Sequence, residues 1–244
     1  MRNIWIVSKR ELSAYFTSPL AYIFIVIFLA LAGGLTFFFG SWLDRGQADL
    51  QVFFIYHPYL YLFLIPAVGM RLWAEERKTG TIEFLLTLPV TTGQIVLGKF
   101  LAAWIFAGIA LALTFPMWLT VNFLGEPDNG IILAAYIGSW LVAGGFLALS
   151  SCVSALTKNQ VIAFVLASAV CFIFMMSGVE IIQPFFRAWT PQQFVESVAE
   201  LSFLTNFTEI AQGVIDIRDI VFFLSVIGIA LFVNTAIVEA KKGV

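Results

Sequence analysis

Few side chains in this sequence could carry out nucleophilic or acid–base chemistry. The single histidine, His57, stands beside Pro58, and the two cysteines, Cys152 and Cys171, lie in long apolar runs. Catalytic triads and metal sites both need several such groups to converge. The phosphate-binding pattern G-x-x-x-x-G-K-S/T is absent from the sequence, so the chain cannot hold ATP in a P-loop. We therefore expect no catalytic residue, no cofactor and no metal here. His57 is interpreted as an interfacial residue and the cysteines as packing residues.

The most suggestive polar segment is AEERKTGTIEFLLTLPVTTGQ, residues 74–94. Its charged start is predicted to extend a membrane helix into water and consists of Glu75, Glu76, Arg77 and Lys78. Gly80 is predicted to end that helix. Beyond Thr81, apolar residues at the spacing i, i+3, i+4 and i+7 form one stripe of a short helix: Ile82, Leu85, Leu86 and Pro89. The proline stops this helix, and Thr91 with Gln94 matches a capping box that starts the next one.

Two interpretations of this short amphipathic helix stay open. Its apolar stripe could lie passively on the lipid surface. Alternatively, the stripe could fit a groove on a cytoplasmic partner. In that case Thr81, Glu83 and the Glu-Glu-Arg-Lys cluster would form the polar rim of the contact.

The composition predicts that membrane helices position this segment. The chain of 244 residues is 61% apolar and only 11% charged, whereas soluble domains carry about 25% charged residues. Its apolar runs lack the alternation of barrel strands, so an all-α polytopic membrane domain covering residues 1–244 is predicted, in contact with membrane lipid. The net charge of −2 predicts no nucleic-acid partner. Six runs are long enough to span a bilayer: Leu20–Gly40, Val52–Leu72, Phe100–Leu124, Ile131–Leu156, Val161–Val179 and Ile220–Val238.

The distribution of basic residues predicts the orientation of these spans. With the amino terminus inside, ten lysines and arginines fall on the inner side and three on the outer side. Because basic residues favour the cytoplasmic side, we expect the inner side of these spans to be cytoplasmic. Both termini and residues 74–94 would then face the cytoplasm.

Two further segments are predicted to be helical without spanning the membrane. Residues 1–18 have the spacing of an amphipathic helix that lies in the headgroup region. Residues 183–219, on the outer side, are interrupted by prolines and predict a pair of broken, re-entrant helices. A cluster at the end of this second segment is predicted to cap and anchor the last span: Gly213, Asp216, Arg218 and Asp219.

Two stretches resemble a known family. RLWAEERKTGTIEFLLTLPVTTGQIVLGKF, residues 71–100, resembles the first cytoplasmic loop of permease subunits in type-2 ABC exporters. NFTEIAQGVIDIRDIVFFLS, residues 206–225, resembles the approach to the final span of gliding-motility-associated (GldF-like) ABC permeases. One departure is Thr205-Asn206, where that family often has a histidine. The resemblance implies an ATP-driven exporter of two permease and two ATPase subunits in a bacterial inner (cytoplasmic) membrane, with ATP and Mg on the ATPases. It also implies that residues 74–94 carry the coupling helix that docks on the ATPase.

A second class of function stays open beside the exporter. The same motion could rearrange a periplasmic partner without moving a substrate, as a mechanotransmission or scaffold subunit does. The apolar runs carry almost no ionisable residue at mid-membrane, which argues against a proton-coupled carrier or an ion channel with a charged filter. The sequence leaves open the substrate, the identity of the second permease subunit and the presence of a periplasmic accessory subunit.

Overall fold

The computed structural model describes residues 2–81, 90–178, 201–214 and 216–241, and every regular element in these ranges is helical. The all-α class is therefore confirmed for the described chain. Its helices are α1 Arg2–Thr17, α2 Pro19–Gly34, α3 Gln51–Ile55, α4 His57–Gly69, α5 Arg71–Thr79, α6 Thr92–Ala112, α7 Phe115–Leu124, α8 Asn129–Leu156, α9 Gln160–Met176, α10 Phe203–Ala211 and α11 Ile217–Ala240.

Within the described ranges, four helical stretches are long and apolar enough to cross a membrane. They are α2 with the π-helical turn that continues it to Phe39, α6 with α7, α8, and α11. α9 is apolar but has only 17 residues. The predicted span Val52–Leu72 is divided among α3, α4 and α5, because the chain turns at Tyr56, ahead of Pro58, and again at Met70. Pro58 and Pro66 predict a kink or a late start in this run, and each break lies within four residues of one of them.

Large apolar side chains cover the outer surface of the bundle. Phe38, Phe123 and Phe232 are 84%, 90% and 76% exposed. Aqueous solvent tolerates only small apolar patches, so lipid must surround this surface. The chain is a membrane-spanning protein.

α8 is the central helix, and small residues on it let its neighbours approach closely. A methyl group added at Gly144 would lie 2.6 Å from Nε1 of Trp104. That ring stacks on Trp140 at 4.2 Å, and each indole donates a hydrogen bond to the other's backbone carbonyl. The packing of α6 against α8 therefore leaves no room for a side chain at position 144.

We predict that Gly144→Val destabilises the protein by about 1–3 kcal/mol, because overpacking displaces the stacked indoles. Thermal unfolding of the purified protein in detergent measures the effect. Gly33→Val on α2 is the matched control, since a methyl group there has no atom within 4 Å. Equal melting temperatures for the two variants would contradict the prediction.

α8 also connects the two chemically different ends of the bundle. At 28 residues it is about 42 Å long. Its carboxyl end lies beside Arg77 and Lys241, and we call this the basic end. Its amino end, capped by Asp128, lies at a cavity that Asp49 also lines, and we call this the acidic end.

α1 and α10 pack on the bundle. Ser8 of α1 donates a 2.9 Å hydrogen bond to the carbonyl of Gly98 on α6. α10 buries Phe203, Phe207 and Ile210, and it packs against α8. The headgroup location of residues 1–18 and the re-entrant path of 183–219 stay predictions. Residues 183–200 lie outside the described ranges.

Candidate functional site

α5 carries the charged start of the predicted coupling segment. The helix ends at Thr79, and Gly80 follows with a φ of 73°, a left-handed conformation that favours glycine. The Thr79 hydroxyl donates to the carbonyl of Glu75 and lies 3.0 Å from the Thr81 hydroxyl. The remaining predicted docking residues lie outside the described ranges: Ile82, Glu83, Leu85, Leu86 and Pro89. The structure thus describes residues 74–81 at the start of the segment, which we call the base of the coupling segment.

A buried lysine joins α5 to two other helices. Lys99 of α6 is 3% exposed; its Nζ lies 2.6 Å from Oε1 of Glu76 on α5 and 3.4 Å from Oε2 of Glu11 on α1. The same Nζ lies 5.6 Å from the centre of the Trp73 ring. We call these four residues the Lys99 clamp. A buried charge is tolerated only when it is paired, so the clamp fixes the relative positions of α1, α5 and α6.

The carboxylate of Glu11 stays ionised within this clamp. Burial raises the pKa of Glu11, but the charges of Lys99 and Arg10 together lower it by more than burial raises it. The pKa of Glu11 therefore lies below its ordinary value. Arg10 reaches Glu11 at 2.6 Å and is exposed. Glu11 is therefore negatively charged at neutral pH.

Two serines of α8 hold the beginning of α5. The Ser154 hydroxyl accepts hydrogen bonds from the backbone N–H groups of Trp73 and Ala74 and donates one to the carbonyl of Met70. α5 has no side-chain cap of its own, so a residue of another helix supplies it. Ser151 accepts from the Trp73 indole at 3.2 Å and from Asn234 of α11 at 2.6 Å. These bonds attach α5 to α8 and α11.

The end of α5 is attached to the carboxyl end of α8. Arg77 donates to the carbonyl of Ala155 at 2.9 Å, and Lys241 donates to that of Leu156 at 2.7 Å. Both cations satisfy terminal carbonyls and complement the negative end of the helix dipole.

The predicted cap of the following helix is also present. Thr91 accepts a hydrogen bond from the backbone N–H of Gln94, so α6 begins where the capping pattern places it. The Gln94 side chain accepts instead from Asn3 of α1, at 3.4 Å. Gly80 and Thr91 thus mark the two ends of a segment whose flanking helices are both tied to the bundle.

The predicted outer cluster lies at the acidic end, and none of it approaches the Lys99 clamp. Gly213 has a φ of 88° and ends α10 in a Schellman motif, in which Val214 N–H donates to the Glu209 carbonyl. A methyl group at Gly213 would lie 2.7 Å from Ile131 of α8. Position 213 therefore needs both the conformation and the size of glycine.

Asp216 and Asp219 begin α11. Asp216 is the N-cap, and its carboxylate accepts from the backbone N–H of Arg218 at 3.0 Å. Asp219 is 2% exposed in the first turn of the helix. Carboxylates at this position complement the positive end of the helix dipole.

The interfacial interpretation of His57 is wrong. The residue is 0% exposed, its Nδ1 lies 2.8 Å from the Ser139 hydroxyl, and Tyr61 contacts the same hydroxyl at 2.8 Å. The rings of Phe53 and Phe54 lie 4.5 and 5.1 Å from the imidazole, centre to centre. Ser139 on α8 thus provides a polar partner for the imidazole of His57 in the interior of the bundle.

Sequence reasoning did not single out Lys99, Glu11 or the two serines of α8. The sequence does contain a feature that points to Lys99, because this lysine lies inside the apolar run that follows Gln94. A charged residue in such a run usually has a functional role or forms an ion pair. No comparable local signal marks Glu11, Ser151 or Ser154.

Comparison with known proteins agrees with a transport role. A family model described as ABC-2 family transporter protein matches residues 5–238. Two relatives are each described as a probable ABC transporter permease protein NosY, one from Stutzerimonas stutzeri and one from Pseudomonas aeruginosa. They are 28% and 26% identical over 193 residues, covering 72% of this chain and 68% of each relative. The narrower resemblance to gliding-motility-associated permeases stays a prediction.

Proposed function

Because the chain belongs to the ABC-2 family and is a permease subunit of an ABC transporter, we propose that it receives the work of ATP hydrolysis through residues 74–94. The ATPase is a separate cytoplasmic chain, present in two copies that bind ATP and Mg. A second permease subunit, identical or homologous, completes an exporter. The chain crosses the bacterial inner membrane six times, with both termini in the cytoplasm.

The observation that carries this proposal is the attachment of α5. A short segment transmits displacement only when both of its ends are fixed to the parts that must move. α5 is held by Lys99 of α6, by Ser154 of α8 and by the Arg77 contact with the end of α8. A force applied between Gly80 and Thr91 therefore reaches several helices of the bundle.

ATP can drive the permease only if the ATPase binds its two conformations with different affinity. An apolar stripe that packs differently on the closed and open ATPase pair would supply that difference. The stripe and its polar rim fit the groove-binding mode of amphipathic helices. The free energy released on docking would then bias the positions of α5 and α6.

One observation favours the alternative of mechanotransmission to a periplasmic partner. A cavity of about 280 Å³ opens at the acidic end, where Asp49, Asp128 and Gln212 line it together with apolar residues. α8 connects this cavity to the basic end. Movement of α5 could therefore change a surface available to an outer partner without opening a path for substrate.

Cysteine labelling tests the orientation and the docking together. In a background with Cys152→Ser and Cys171→Ser, a membrane-impermeant maleimide should label Lys78→Cys only in inside-out vesicles. Asp44→Cys, also exposed, is the control and should be labelled only in right-side-out vesicles. Bound ATPase should slow the labelling of Leu86→Cys, on the predicted apolar stripe, at least about fivefold, because interfaces exclude water from their centres. Labelling from the outside, or no protection by the ATPase, would overturn the proposal.

A further inference from the structure

A charged cleft opens at the basic end between α1 and α5. Its volume is about 220 Å³. Its charged lining consists of Glu11, Arg71, Glu75, Glu76 and Lys99. Arg71 binds Glu75 through two hydrogen bonds, of 2.8 and 3.3 Å, and both side chains are partly exposed to the cleft. We call this space the headgroup cleft.

An apolar groove adjoins the cleft. It has a volume of about 200 Å³, runs between α2 and α4, and shares Tyr15 and Arg71 with the headgroup cleft. Its remaining lining is almost wholly apolar and includes Leu20, Phe24, Ile27, Leu64 and Ala67. We call it the acyl groove. A charged space at the end of the bundle thus continues into an apolar space along the membrane helices.

This pair of spaces matches the shape of a phospholipid, with a polar head and an apolar chain. We propose that one phospholipid with a primary-amine headgroup, of the phosphatidylethanolamine type, binds here. Its phosphate lies at Arg71, its ammonium lies among the carboxylates, and one acyl chain lies in the acyl groove. The proposal goes beyond the coupling to an ATPase and does not depend on it.

The charges of the headgroup cleft select the amine. The lining holds three carboxylates and two cations, and Arg10 pairs with Glu11 from outside the lining. The charges of the site therefore balance, and an anionic lipid would add an unpaired negative charge. Oε2 of Glu76 is buried and lacks a hydrogen-bond partner among the described residues. A primary ammonium offers three donors to such acceptors, whereas a choline headgroup offers none and a glycerol headgroup leaves the lipid anionic. Arg71 has five N–H donors, of which the contact with Glu75 uses two, and a phosphate can accept from the others.

The bound lipid would also reinforce the base of the coupling segment. It would contact α1, α2, α4 and α5 at once, and three of the residues beside it, Glu11, Glu76 and Lys99, belong to the Lys99 clamp. Lipid in this position would oppose separation of α1 from α5. The composition of the leaflet at the basic end would then affect how firmly α5 is held.

Native mass spectrometry of the full-length protein in detergent tests the proposal, with added palmitoyl-oleoyl phosphatidylethanolamine, phosphatidylcholine or phosphatidylglycerol. We expect one phosphatidylethanolamine retained per chain, at least about fivefold more than either other lipid. Ala67→Trp should remove this retention by filling the acyl groove. Ala169→Trp, on the exposed face of α9, is the matched control and should retain lipid like the native chain.

If Ala67→Trp does not fold, a milder variant can still test the proposal. Glu75→Gln removes one carboxylate and leaves an excess positive charge at the site, so the preference over phosphatidylglycerol should fall at least about threefold while phospholipid is still retained. Equal retention of all three lipids would overturn the proposal, and so would unchanged retention in Ala67→Trp. A change from dimer to monomer in Ala67→Trp without loss of lipid would also overturn it, because a second copy of the chain would then cover the groove.

Discussion

Replacing Lys99 with methionine is expected to lower the free energy of unfolding by about 3–5 kcal/mol. Methionine has a similar volume but no charge, so Glu76 would lose its buried cation and Glu11 would keep only the exposed Arg10. The interaction of Nζ with the Trp73 ring would also be lost. Reversible unfolding of the purified protein in mixed micelles measures the loss.

Two comparisons isolate the cause of this effect. Lys9→Met makes the same change at an exposed position of α1 and should alter stability by less than about 0.5 kcal/mol. Adding Glu11→Gln and Glu76→Gln to Lys99→Met should recover much of the loss, because no unpaired charge then stays buried. Equal stability of Lys99→Met and Lys9→Met would show that the clamp does not hold the three helices together.

The stability conferred by the clamp should decrease as the pH falls. Because the pKa of Glu11 is lowered in the folded protein, its pairing with Lys99 stabilises the fold above the ordinary carboxylate range. This contribution is lost as the pH falls through the lowered pKa. The difference in unfolding free energy between the native chain and Lys99→Met should therefore shrink on acidification.

The positions of most long helices follow from local chemistry, so the sequence could predict them. The predicted span Ile131–Leu156 corresponds to α8, and Ile220–Val238 corresponds to α11. Each helix begins slightly earlier than predicted because an aspartate caps it, Asp128 for α8 and Asp216 for α11. Length, hydrophobicity and capping are properties of a single segment, so the sequence of that segment is enough to predict the helix.

The break at Met70 depends on tertiary contacts as well as on the local sequence. Pro66 and Gly69 precede Met70 and favour a bend nearby. Ser154 of α8 then accepts from the amides that follow Met70 and donates to its carbonyl. A partner 84 positions away in the chain therefore supports the turn between α4 and α5.

The candidate site was predictable only in part, for the same reason. Glu76 was singled out because it lies in a charged cluster, but its partner Lys99 belongs to another segment, and Glu11 lies 88 positions from that lysine. The error at His57 has the same origin, since its partner Ser139 is 82 positions away. One-dimensional patterns identify which side chains are unusual. They do not identify which distant residue neutralises them.

The combined change Leu85→Asp and Leu86→Asp is expected to abolish co-purification of the permease with its ATPase. Both leucines belong to the predicted apolar stripe, and truncating an interface anchor costs about 2 kcal/mol or more. Replacing each leucine would then weaken binding roughly 30-fold or more, and buried aspartates add a desolvation cost. Neither the Lys99 clamp nor the Ser154 bonds involve these leucines, so we expect the isolated permease to keep its melting temperature.

The control for this change is Thr87→Asp, which adds a charge on the opposite face of the same predicted helix at 100° per residue. It should leave both co-purification and ATP hydrolysis close to those of the native complex. Loss of binding in the double variant alone would support docking through the stripe and exclude a passive position on the lipid surface. If the double variant co-purifies and supports hydrolysis as the native chain does, residues 74–94 do not couple the permease to ATP, however firmly α5 is held.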